Sequence, residues 1–408
     1  LWGDYLLPLL HRKDISILKK LYPNDNNGKK SNIVSLKDAV APQVSRNNRP
    51  FWFTYGVQRG GVEVTPESTG DNCIQVIAGR SISIGHHGEP LGWVNLDEIK
   101  ARPNGKLSLW GNVDQPLKFI AVAKITQLLT ATVVHSNTAN QVAAIDSVLI
   151  ALEKVNGVRI EVIASYLNSK ISKFILTLRL RSAVLEGSSR TNIYPRTLEA
   201  LPWVKNLAPN LEQQLTDNYN ELARLAAIAK NNPEEWLLSE VENRIQQKRY
   251  KLSDRHLGLT FINWSLDDVT VAELSLDNQF IRAGLFWFEL VDGDLAELVF
   301  KLLTLNLEDD SKISRGTIQK LLVPQDYQLL MQDYRQRSVN FQQVELDFFA
   351  VLAQIDEAVY TMFNLTEEEK AHIEQRLSSF PLNKLQPRYP WQTVKPRPIK
   401  AYTEDRFT

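Results

Sequence analysis

The sequence predicts an α+β fold in which a β-rich region is followed by a mainly helical region. Between residues 51 and 152, short runs rich in Val, Ile and Thr alternate with clusters of Gly, Pro and Asn, which is typical of strands joined by turns. From residue 160 onward, apolar residues recur every three or four positions, the spacing of one helix face. The 408 residues leave room for two or three domains, and 43 % apolar against 23 % charged residues is a globular composition.

Residues 1–50 are predicted to form an N-terminal helical segment and a linker. An amphipathic stretch at 6–21 is followed by the turn-rich residues 23–28, whose Pro, Asn, Asp and Gly favour a loop. The sequence starts at Leu1, without Met, directly in amphipathic sequence. We therefore expect a fragment of a longer chain or a processed form.

Residues 51–210 are predicted to form a β-rich domain that ends in a bracing helix. The predicted strands lie at 73–77, 118–122, 131–134 and 147–150. The helix is predicted from apolar residues that share one face, namely Ile160, Ile163, Leu167, Ile171, Phe174 and Leu178. A polar loop at 186–192 then leads to the apolar residues 201–203.

Residues 211–380 are predicted to form a mainly helical domain. One apolar stripe consists of Leu211, Leu215, Leu222 and Leu225, and another of Phe348, Leu352, Ile355, Val359 and Met362. Such stripes are typical of helices that pack in a core. Residues 255–325 leave strand and helix open, and the prolines and basic residues of 381–408 predict an extended tail. No internal repeat is evident in the sequence.

The charges are distributed unevenly along the chain. The formal net charge is zero, but residues 1–210 hold 25 Lys and Arg against 16 Asp and Glu, and the remainder holds 22 against 31. A basic part joined to an acidic part favours contact of the basic part with a polyanion such as nucleic acid. Such a split also arises by chance or serves solubility, so charge alone leaves this hypothesis open.

Cysteine content and hydropathy indicate the cellular setting. Cys73 is the single cysteine, so neither an internal disulfide nor a thiolate cage for zinc can form. No apolar run approaches the ~20 residues that span a bilayer, and the N-terminus lacks a secretory pattern. The sequence therefore predicts a cytoplasmic protein without a membrane partner.

Motifs of several common catalytic classes are absent from the sequence. It lacks a glycine-rich turn for a nucleotide or S-adenosyl cofactor, a phosphate-binding loop, and the Gly-x-Ser-x-Gly elbow. It also lacks the Asn-Pro-Pro-aromatic tetrapeptide that grips a flipped adenine. His86 and His87 fit a surface turn better than a metal site, and the Glu-x-Lys triplet within residues 97–100 keeps a metal-dependent nuclease open as a minor hypothesis. We otherwise expect no catalytic, cofactor-binding or metal-binding residue in this chain.

Two segments resemble the target-recognition region of adenine-specific DNA methyltransferases. Residues 163–174, with Leu-Asn-Ser-Lys at 167–170, and the Leu-Glu-Ala-Leu-Pro run at 198–202 resemble a helix and its exit in these domains. Such domains also occur in fused type IIG restriction–modification enzymes and look related to type I specificity subunits. Residues 355–369 resemble a C-terminal element of the fused enzymes, and the order of parts matches over about residues 50–375.

The resemblance implies a sequence-specific duplex DNA recognition module of a restriction–modification system. The parent protein would be a site-specific adenine DNA methyltransferase, with or without endonuclease activity. Its catalytic domain would precede residue 1 or lie on a partner subunit. S-adenosylmethionine, and magnesium where a nuclease takes part, would be bound by that domain.

Basic residues in loops are the predicted DNA contacts, because Arg can bond both acceptors of guanine and Lys can meet phosphates. The predicted set is Arg46, Arg49, Arg59, Arg80, Lys118, Lys124, Asn168, Lys170, Lys173, Arg190 and Arg196. Asn168 could equally serve as a bend or an internal contact, and each charge alone could be a solvated surface group. Aromatic residues at 52–55 could stack on DNA, although core packing explains them more simply.

A second hypothesis is a protein–protein scaffold or specificity subunit that docks a methylase or nuclease partner. Acidic runs at 307–310 and 366–369 in the helical part motivate it. The second run also suits the N-terminus of a helix, where carboxylates interact favourably with the helix dipole. Association with a catalytic subunit would separate this hypothesis from DNA recognition.

Overall fold

The computed structural model describes residues 11–23, 32–40, 53–107, 117–126, 128–136, 142–152, 158–179, 191–263, 269–379, 383, 386–391 and 394–404. The fold is α+β, as the sequence predicts. Two compact units divide the chain: unit 1 comprises residues 1–228 and 347–390, and unit 2 comprises residues 229–346 and 391–408. Both units combine helices with sheets. The first boundary between them lies between residues 228 and 229, whereas the sequence predicts a boundary at residue 210.

The elements are numbered here in chain order. The described helices are α1 (Arg12–Leu21), α2 (Leu36–Val40), α3 (Leu96–Ala101), α4 (Ile160–Asn168), α5 (Lys170–Arg179), α6 (Pro195–Glu199), α7 (Pro209–Ala229), α8 (Pro233–Gln247), α9 (Gly293–Asn306), α10 (Arg315–Gln319), α11 (Tyr327–Met362) and α12 (Glu367–Ser378). The described strands are β1 (Ile33–Ser35), β2 (Thr54–Tyr55), β3 (Cys73–Ile77), β4 (Ile82–Ser83), β5 (His86–His87), β6 (Gly92–Asn95), β7 (Leu117–Ala123), β8 (Ile125–Thr126), β9 (Ala131–Ser136), β10 (Val142–Ala144), β11 (Val148–Leu152), β12 (Thr191–Asn192), β13 (Pro202–Val204), β14 (Arg249–Lys251), β15 (Thr260–Ile262), β16 (Val269–Thr270), β17 (Leu274–Asp277), β18 (Phe280–Ala283), β19 (Phe286–Glu289), β20 (Lys312–Ile313) and β21 (Leu322–Pro324). Among these helices, none is both long and apolar enough to cross a membrane.

Two sheets enclose the core of unit 1. An antiparallel four-stranded sheet has the order β2-β11-β7-β9, and a three-stranded sheet has the order β10-β3-β6, in which β10 and β3 are parallel. Phe119 and Ile150 of the first sheet belong to one buried cluster with Ile74 and Val94 of the second. Alternate residues of β7 and β11 face this cluster, and this alternation is the pattern that predicts strands from the sequence.

Side chains from two helices protect the outer edge of β9, the last strand of its sheet. The Asn168 amide at the end of α4 accepts from Ala131 N–H and donates to the Ala131 carbonyl, both at 2.9 Å. Two residues along the strand, Val133 N–H donates to the Tyr219 hydroxyl of α7 at 2.6 Å. An unpaired strand edge exposes backbone groups that other strands can pair with. Asn168 and Tyr219 therefore end the sheet at β9.

The bracing helix is interrupted at Ser169. The sequence predicts one helix over residues 160–178, but α4 ends at Asn168 and α5 begins at Lys170. Ser169 has extended dihedral angles, and its hydroxyl donates to the Tyr166 carbonyl at 2.7 Å. The first N–H of α5 donates instead to Asp356 of α11 at 2.7 Å. A carboxylate distant in sequence thus caps the second helix.

Helix α1 is fixed to α12 by ion pairs. Asp14 is fully buried and accepts from His372 Nε2 at 2.8 Å, and Lys20 pairs with Glu369 at 2.7 Å. Glu369 also closes a capping box with Thr366 at the start of α12. The predicted N-terminal helix is thus a packed element of unit 1 over its described residues.

Unit 2 contains a sheet as well as helices. The antiparallel order β15-β19-β18-β17 forms a meander, and its Ile281 and Phe288 pack with Leu298 of α9 in one buried cluster. The described part of residues 255–325 therefore contains this sheet, helices α9 and α10 and further short strands. Residues 394–404 of the tail are held on this unit, because Arg397 pairs with Glu235 at 2.8 Å, whereas Arg388 belongs to unit 1, where its carbonyl accepts from Ile84 N–H at 2.9 Å.

One strand pairing occurs in the same form in both units. Strand β1 pairs antiparallel with β13 in unit 1, and β14 pairs antiparallel with β21 in unit 2. The ladders continue identically: Leu36 N–H donates to the Leu201 carbonyl at 2.7 Å, and Leu252 N–H donates to the Leu321 carbonyl at 2.8 Å. All four leucines are buried.

The segment that contains the second strand of each pair is repeated with an offset of 120 residues. Residues 193–204 and 313–324 each pass through a short helix into the paired strand, and a long helix follows each of them. The identical residues in these stretches are Ile193 and Ile313, Thr197 and Thr317, and Leu201 and Leu321. Because the repeat is carried by burial and backbone pairing rather than by residue identity, the sequence does not reveal it. The expectation of no internal repeat is wrong.

Candidate nucleic-acid interface

The parallel segments of unit 1 bring three of the predicted DNA contacts together. Strands β3 and β10 run parallel, and Val57 forms a parallel bridge with Ile145. Because parallel neighbours end at the same edge of a sheet, the turn with Arg80, the turn at Ser147 and the segment leading to Arg59 lie on one side. We call this side the basic edge.

Close backbone contacts fix the turns of the basic edge. Gly79 N–H donates to the Ser147 hydroxyl at 2.9 Å, and Lys124 N–H donates to the Ser147 carbonyl at 3.1 Å. A Cβ at Gly79 would lie 2.5 Å from that carbonyl oxygen, so only glycine fits there. Arg80 and Lys124 therefore extend from turns that share Ser147 as a partner.

Two further residues join the basic edge through Lys124. The Lys124 carbonyl accepts from Ile193 N–H at 2.7 Å, which places the start of α6 beside it. This start carries Tyr194, whose side chain is 50 % exposed, and the exposed Arg196. The Lys124 ammonium lies 5.0 Å from the centroid of the Tyr55 ring, so an aromatic face holds this cation.

Among the described residues, no acidic side chain pairs with the cations of the basic edge. Within the described residues, Arg59, Arg80, Lys124 and Arg196 form no ion pair. Arg80 and Arg196 are exposed, whereas Arg59 and Lys124 are half-buried. Unpaired guanidinium groups beside an exposed tyrosine can bond base edges or phosphates and stack on bases.

Two other lysines of the predicted set, Lys118 and Lys170, behave differently because each pairs with acidic groups. Lys118 pairs with the nearly buried Glu161 at 2.5 Å. Lys170 pairs with Glu374 at 2.8 Å and with Asp356 at 3.7 Å. Such pairs reduce the charge available to a phosphate, and both lysines serve internal contacts.

Lys173 belongs to the same group of charges around Asp356. Burial lowers the pKa of Lys173, although Asp356 acts in the opposite direction. Burial also raises the pKa of Asp356 to about 6, against the attraction of Lys173 and Lys170. Because Lys173 is half-buried beside these charges, the surroundings of Lys118, Lys170 and Lys173 favour internal roles over DNA contacts.

The expectation that Asn168 contacts DNA is not met by its surroundings. Its side chain is 1 % exposed, and both of its polar atoms bond Ala131. The alternative reading of an internal contact is the one that the geometry supports. Arg46, Arg49 and Arg190 lie outside the described residues, as does Trp52, and Phe53 is a buried core residue.

The Glu-x-Lys triplet of α3 is not part of an acidic cluster among the described residues. Asp97 pairs with Lys100 on the same helix at 3.7 Å, and both side chains are exposed. In the described ranges, no three His, Cys, Asp or Glu side chains come together in a way that could hold a metal ion. His86 and His87 stack on each other with centroids 5.7 Å apart on β5.

Some exposed residues of each unit are not predicted from the sequence. In unit 1, Tyr194 is one of them, although it adjoins Arg196 in the sequence. In unit 2, Arg255 is exposed just after β14, and the guanidinium of the exposed Arg315 lies 4.6 Å from the Phe261 ring centroid. Arg255 follows β14, and Arg315 begins α10, the short helix that precedes β21. Because Arg315 lies 120 residues after Pro195, which adjoins Arg196, a repeat detected at this offset would point to Arg315.

Comparisons with known proteins find similarity among solved structures. No protein-family model and no curated protein matches the sequence. Among solved structures, the S subunit of a type I restriction–modification system from M. genitalium is similar at 12 % sequence identity and a TM-score of 0.30, covering 77 % of this chain and 98 % of that one. At this TM-score the similarity carries no weight for the fold or the function of this chain.

Proposed function

We propose that this chain is a sequence-specific duplex DNA recognition module of a restriction–modification adenine DNA methyltransferase. The basic edge of unit 1 carries the proposal, because it gathers Arg59, Arg80, Lys124 and Arg196 without acidic partners in the described residues. Uncompensated cations cost free energy in the free protein through mutual repulsion, and a polyanion removes that cost.

The chemistry of the edge suits a duplex. The exposed Arg80 extends from a turn and the exposed Arg196 from the start of α6, and a guanidinium fits the two acceptors of guanine in the major groove. Lys124 supplies a point charge to a phosphate, and Tyr194 offers a half-exposed ring for stacking or wedging. Rigid strands and turns hold these groups, which fixes their spacing relative to successive base pairs.

The repeated motif extends the proposal to unit 2. Its exposed Arg255 follows β14, its exposed Arg315 lies in the short helix before β21, and the Phe261 ring centroid lies 4.6 Å from the Arg315 guanidinium. We therefore propose that each unit contacts DNA with the segments that flank its repeated strand pair. The acidic excess of the second half does not prevent this, because local unpaired cations decide where a phosphate binds.

Catalysis is proposed to take place elsewhere. The sequence lacks both the glycines of an S-adenosyl cofactor site and the tetrapeptide that grips a flipped adenine. S-adenosylmethionine would therefore be bound by an attached or partner methyltransferase domain, and magnesium by an attached nuclease. This chain would hold the duplex while that domain flips and methylates the base.

Electrophoretic or anisotropy binding to a mixed pool of duplexes, at a low and a physiological salt concentration, tests the proposal. We expect binding at low salt that weakens steeply as salt rises, and enrichment of a subset of sequences from the pool. A chain that binds no duplex at low salt contradicts the proposal. The double variant Arg80→Ala with Arg196→Ala should lose enrichment, while the paired-charge control Arg224→Ala should retain it.

A second function, docking of a helical protein partner, is favoured by one feature of α11. Its residues 329, 332, 336, 339, 343 and 346 are all exposed and follow the alternating three- and four-residue spacing of a coiled-coil seam. The seam contains Leu329, Val339 and Leu346, exposed by 61 % or more, and three glutamines. It contains no charge, which is unusual for a solvated helix face.

The docking function predicts association with a methyltransferase subunit through this seam. Gel filtration of the chain with a candidate subunit should show a complex that the double variant Val339→Lys with Leu346→Lys abolishes. The control Gln342→Lys changes an exposed residue outside the spacing and should leave the complex intact. Loss of the complex in the control alone would place the docking surface elsewhere.

A further inference from the structure

Two loops of unit 1 meet next to Arg59 of the basic edge. Gln58 and Lys106 exchange both of their backbone hydrogen bonds at 2.8 Å, so the segments 58–61 and 102–106 are paired with each other. Gly60 has a φ of +60°, and a Cβ there would lie 2.6 Å from the Gly105 nitrogen. Backbone contact therefore fixes the loops without help from side chains.

Three cations extend from this pair of loops. Arg59 is half-buried, whereas Arg102 and Lys106 are exposed, and over the described ranges none of the three has an acidic partner. The Nε atom of Arg59 is buried and lacks a hydrogen-bond partner among the described groups. The nearest basic neighbour in the sequence, Lys100, differs because it pairs with Asp97 at 3.7 Å.

The tip of the first loop faces open space. Among the described residues, no atom lies within 4 Å of a Cβ built at Gly61, which follows Gly60. Glycine lets a ligand oxygen approach the backbone closely, and Arg and Lys supply charged donors around it. A tetrahedral oxyanion with several acceptors satisfies such a set, whereas a base edge offers two acceptors in one plane.

We propose that Arg59, Arg102 and Lys106 bind a phosphate group of the DNA backbone and fix the register of the duplex on unit 1. The inference rests on the proposed function and deepens it. It assigns Arg102 and Lys106, which the sequence analysis did not select, and it makes Arg59 a phosphate contact rather than a reader of bases. Specificity then resides in Arg80 and Arg196.

The test compares the double variant Arg102→Ala with Lys106→Ala against the control Lys100→Ala. Affinities for the enriched duplex and for a random duplex are measured over a series of salt concentrations. We expect the double variant to bind both duplexes about 5- to 20-fold more weakly, with a salt slope reduced by about one phosphate contact. The control should bind like the wild type, because its charge is already paired.

Separate outcomes identify which proposal fails. If the wild type binds DNA and the double variant binds equally well, the phosphate site is refuted and DNA recognition stands. A loss confined to the enriched sequence would make these residues base readers and also refute the site. If the wild type binds no duplex at low salt, both the proposed function and the phosphate site are refuted.

Two further variants guard against misfolding and against free phosphate as the ligand. Lys106→Arg keeps the charge and should retain wild-type affinity, while Arg102→Glu with Lys106→Glu should bind at least as weakly as the alanine variant. Thermal unfolding with inorganic phosphate alone provides the last arm. A phosphate-dependent increase of Tm in the wild type, absent from the double variant and without any effect of that variant on DNA affinity, would assign the site to free phosphate and overturn the DNA assignment.

Discussion

The backbone N–H of Lys170 donates to Oδ1 of Asp356 at 2.7 Å, and the Lys170 ammonium lies 3.7 Å from Oδ2 of the same carboxylate. These two residues belong to the two segments through which the sequence resembles target-recognition regions. This contact joins the two segments inside unit 1. Asp356 caps α5, and the cap fixes the interruption after Asn168.

Loss of the Lys170 ammonium should lower stability and leave DNA affinity unchanged. Lys170→Met removes the pairs with Glu374 and Asp356 but keeps the backbone hydrogen bond. Because the lysine side chain is 37 % exposed and solvent screens its pairs, we expect a decrease of about 1 kcal/mol in the free energy of unfolding. Urea unfolding and duplex binding check this. A uniform tenfold loss of DNA affinity would instead make Lys170 a phosphate contact.

Burial of Asp356 predicts a specific pH dependence of stability. Burial raises its pKa to about 6 from an ordinary value of 3.8, so the folded state takes up a proton before the unfolded state does as the pH falls. The contribution of this group to stability is therefore largest below pH 3.8 and is lost as the pH rises through about 6.

Asp356→Asn is the reference for this measurement, because an amide oxygen can still accept the Lys170 N–H and carries no charge. The difference in the free energy of unfolding between wild type and variant should favour the wild type more at pH 4.5 than at pH 7.5, by about 1–3 kcal/mol. Chemical unfolding at both pH values measures it. A pH-independent difference would show that Asp356 keeps an ordinary pKa.

Asn168→Ala should destabilise unit 1 strongly, because the Ala131 N–H would lose its partner inside the protein. Two hydrogen bonds of 2.9 Å disappear, and an orphaned buried donor costs more than the bond itself contributes. We expect a decrease of about 2–3 kcal/mol in the free energy of unfolding. Asn220→Ala, at an exposed position of α7, is the control and should change it little.

The sequence predicts strand positions well and helix continuity less well, for physical reasons. The predicted strand at 73–77 is β3, because neighbouring residues in the sequence alternate between apolar and less buried positions there. The interruption at Ser169 was not predicted, because its cap comes from Asp356, 186 residues away from Lys170. Apolar spacing reports which face is buried, but it does not report where a distant carboxylate replaces a backbone acceptor.

In the candidate site, too, contacts between residues distant in sequence are not predicted. Arg80 and Lys124 were selected as basic loop residues, but their common partner Ser147 becomes visible only with the parallel pairing of β3 and β10. Lys118 was selected on the same grounds, yet it pairs with Glu161. The sequence shows that a residue is basic, but whether an acidic side chain pairs with it depends on contacts that the fold creates.

Tyr219→Phe tests the other support of the β9 edge. The variant keeps the ring in the core but leaves the Val133 N–H, which donates to the hydroxyl at 2.6 Å, without that acceptor. We expect a decrease of about 1–3 kcal/mol in the free energy of unfolding. Because burial raises the pKa of Tyr219 to about 12, its phenol should also stay protonated at pH 11 in the folded wild type.

Amide hydrogen exchange decides whether the two side chains act on one edge. Asn168→Ala should increase exchange at Ala131, and Tyr219→Phe should increase it at Val133, while the inner ladder of β9 with β7 stays protected because its backbone pairs are untouched. The double variant should expose both amides and promote self-association, since an uncovered strand edge can pair with another chain. If exchange rises equally along β9 and β7 in each single variant, the side chains stabilise the sheet globally and do not protect its edge.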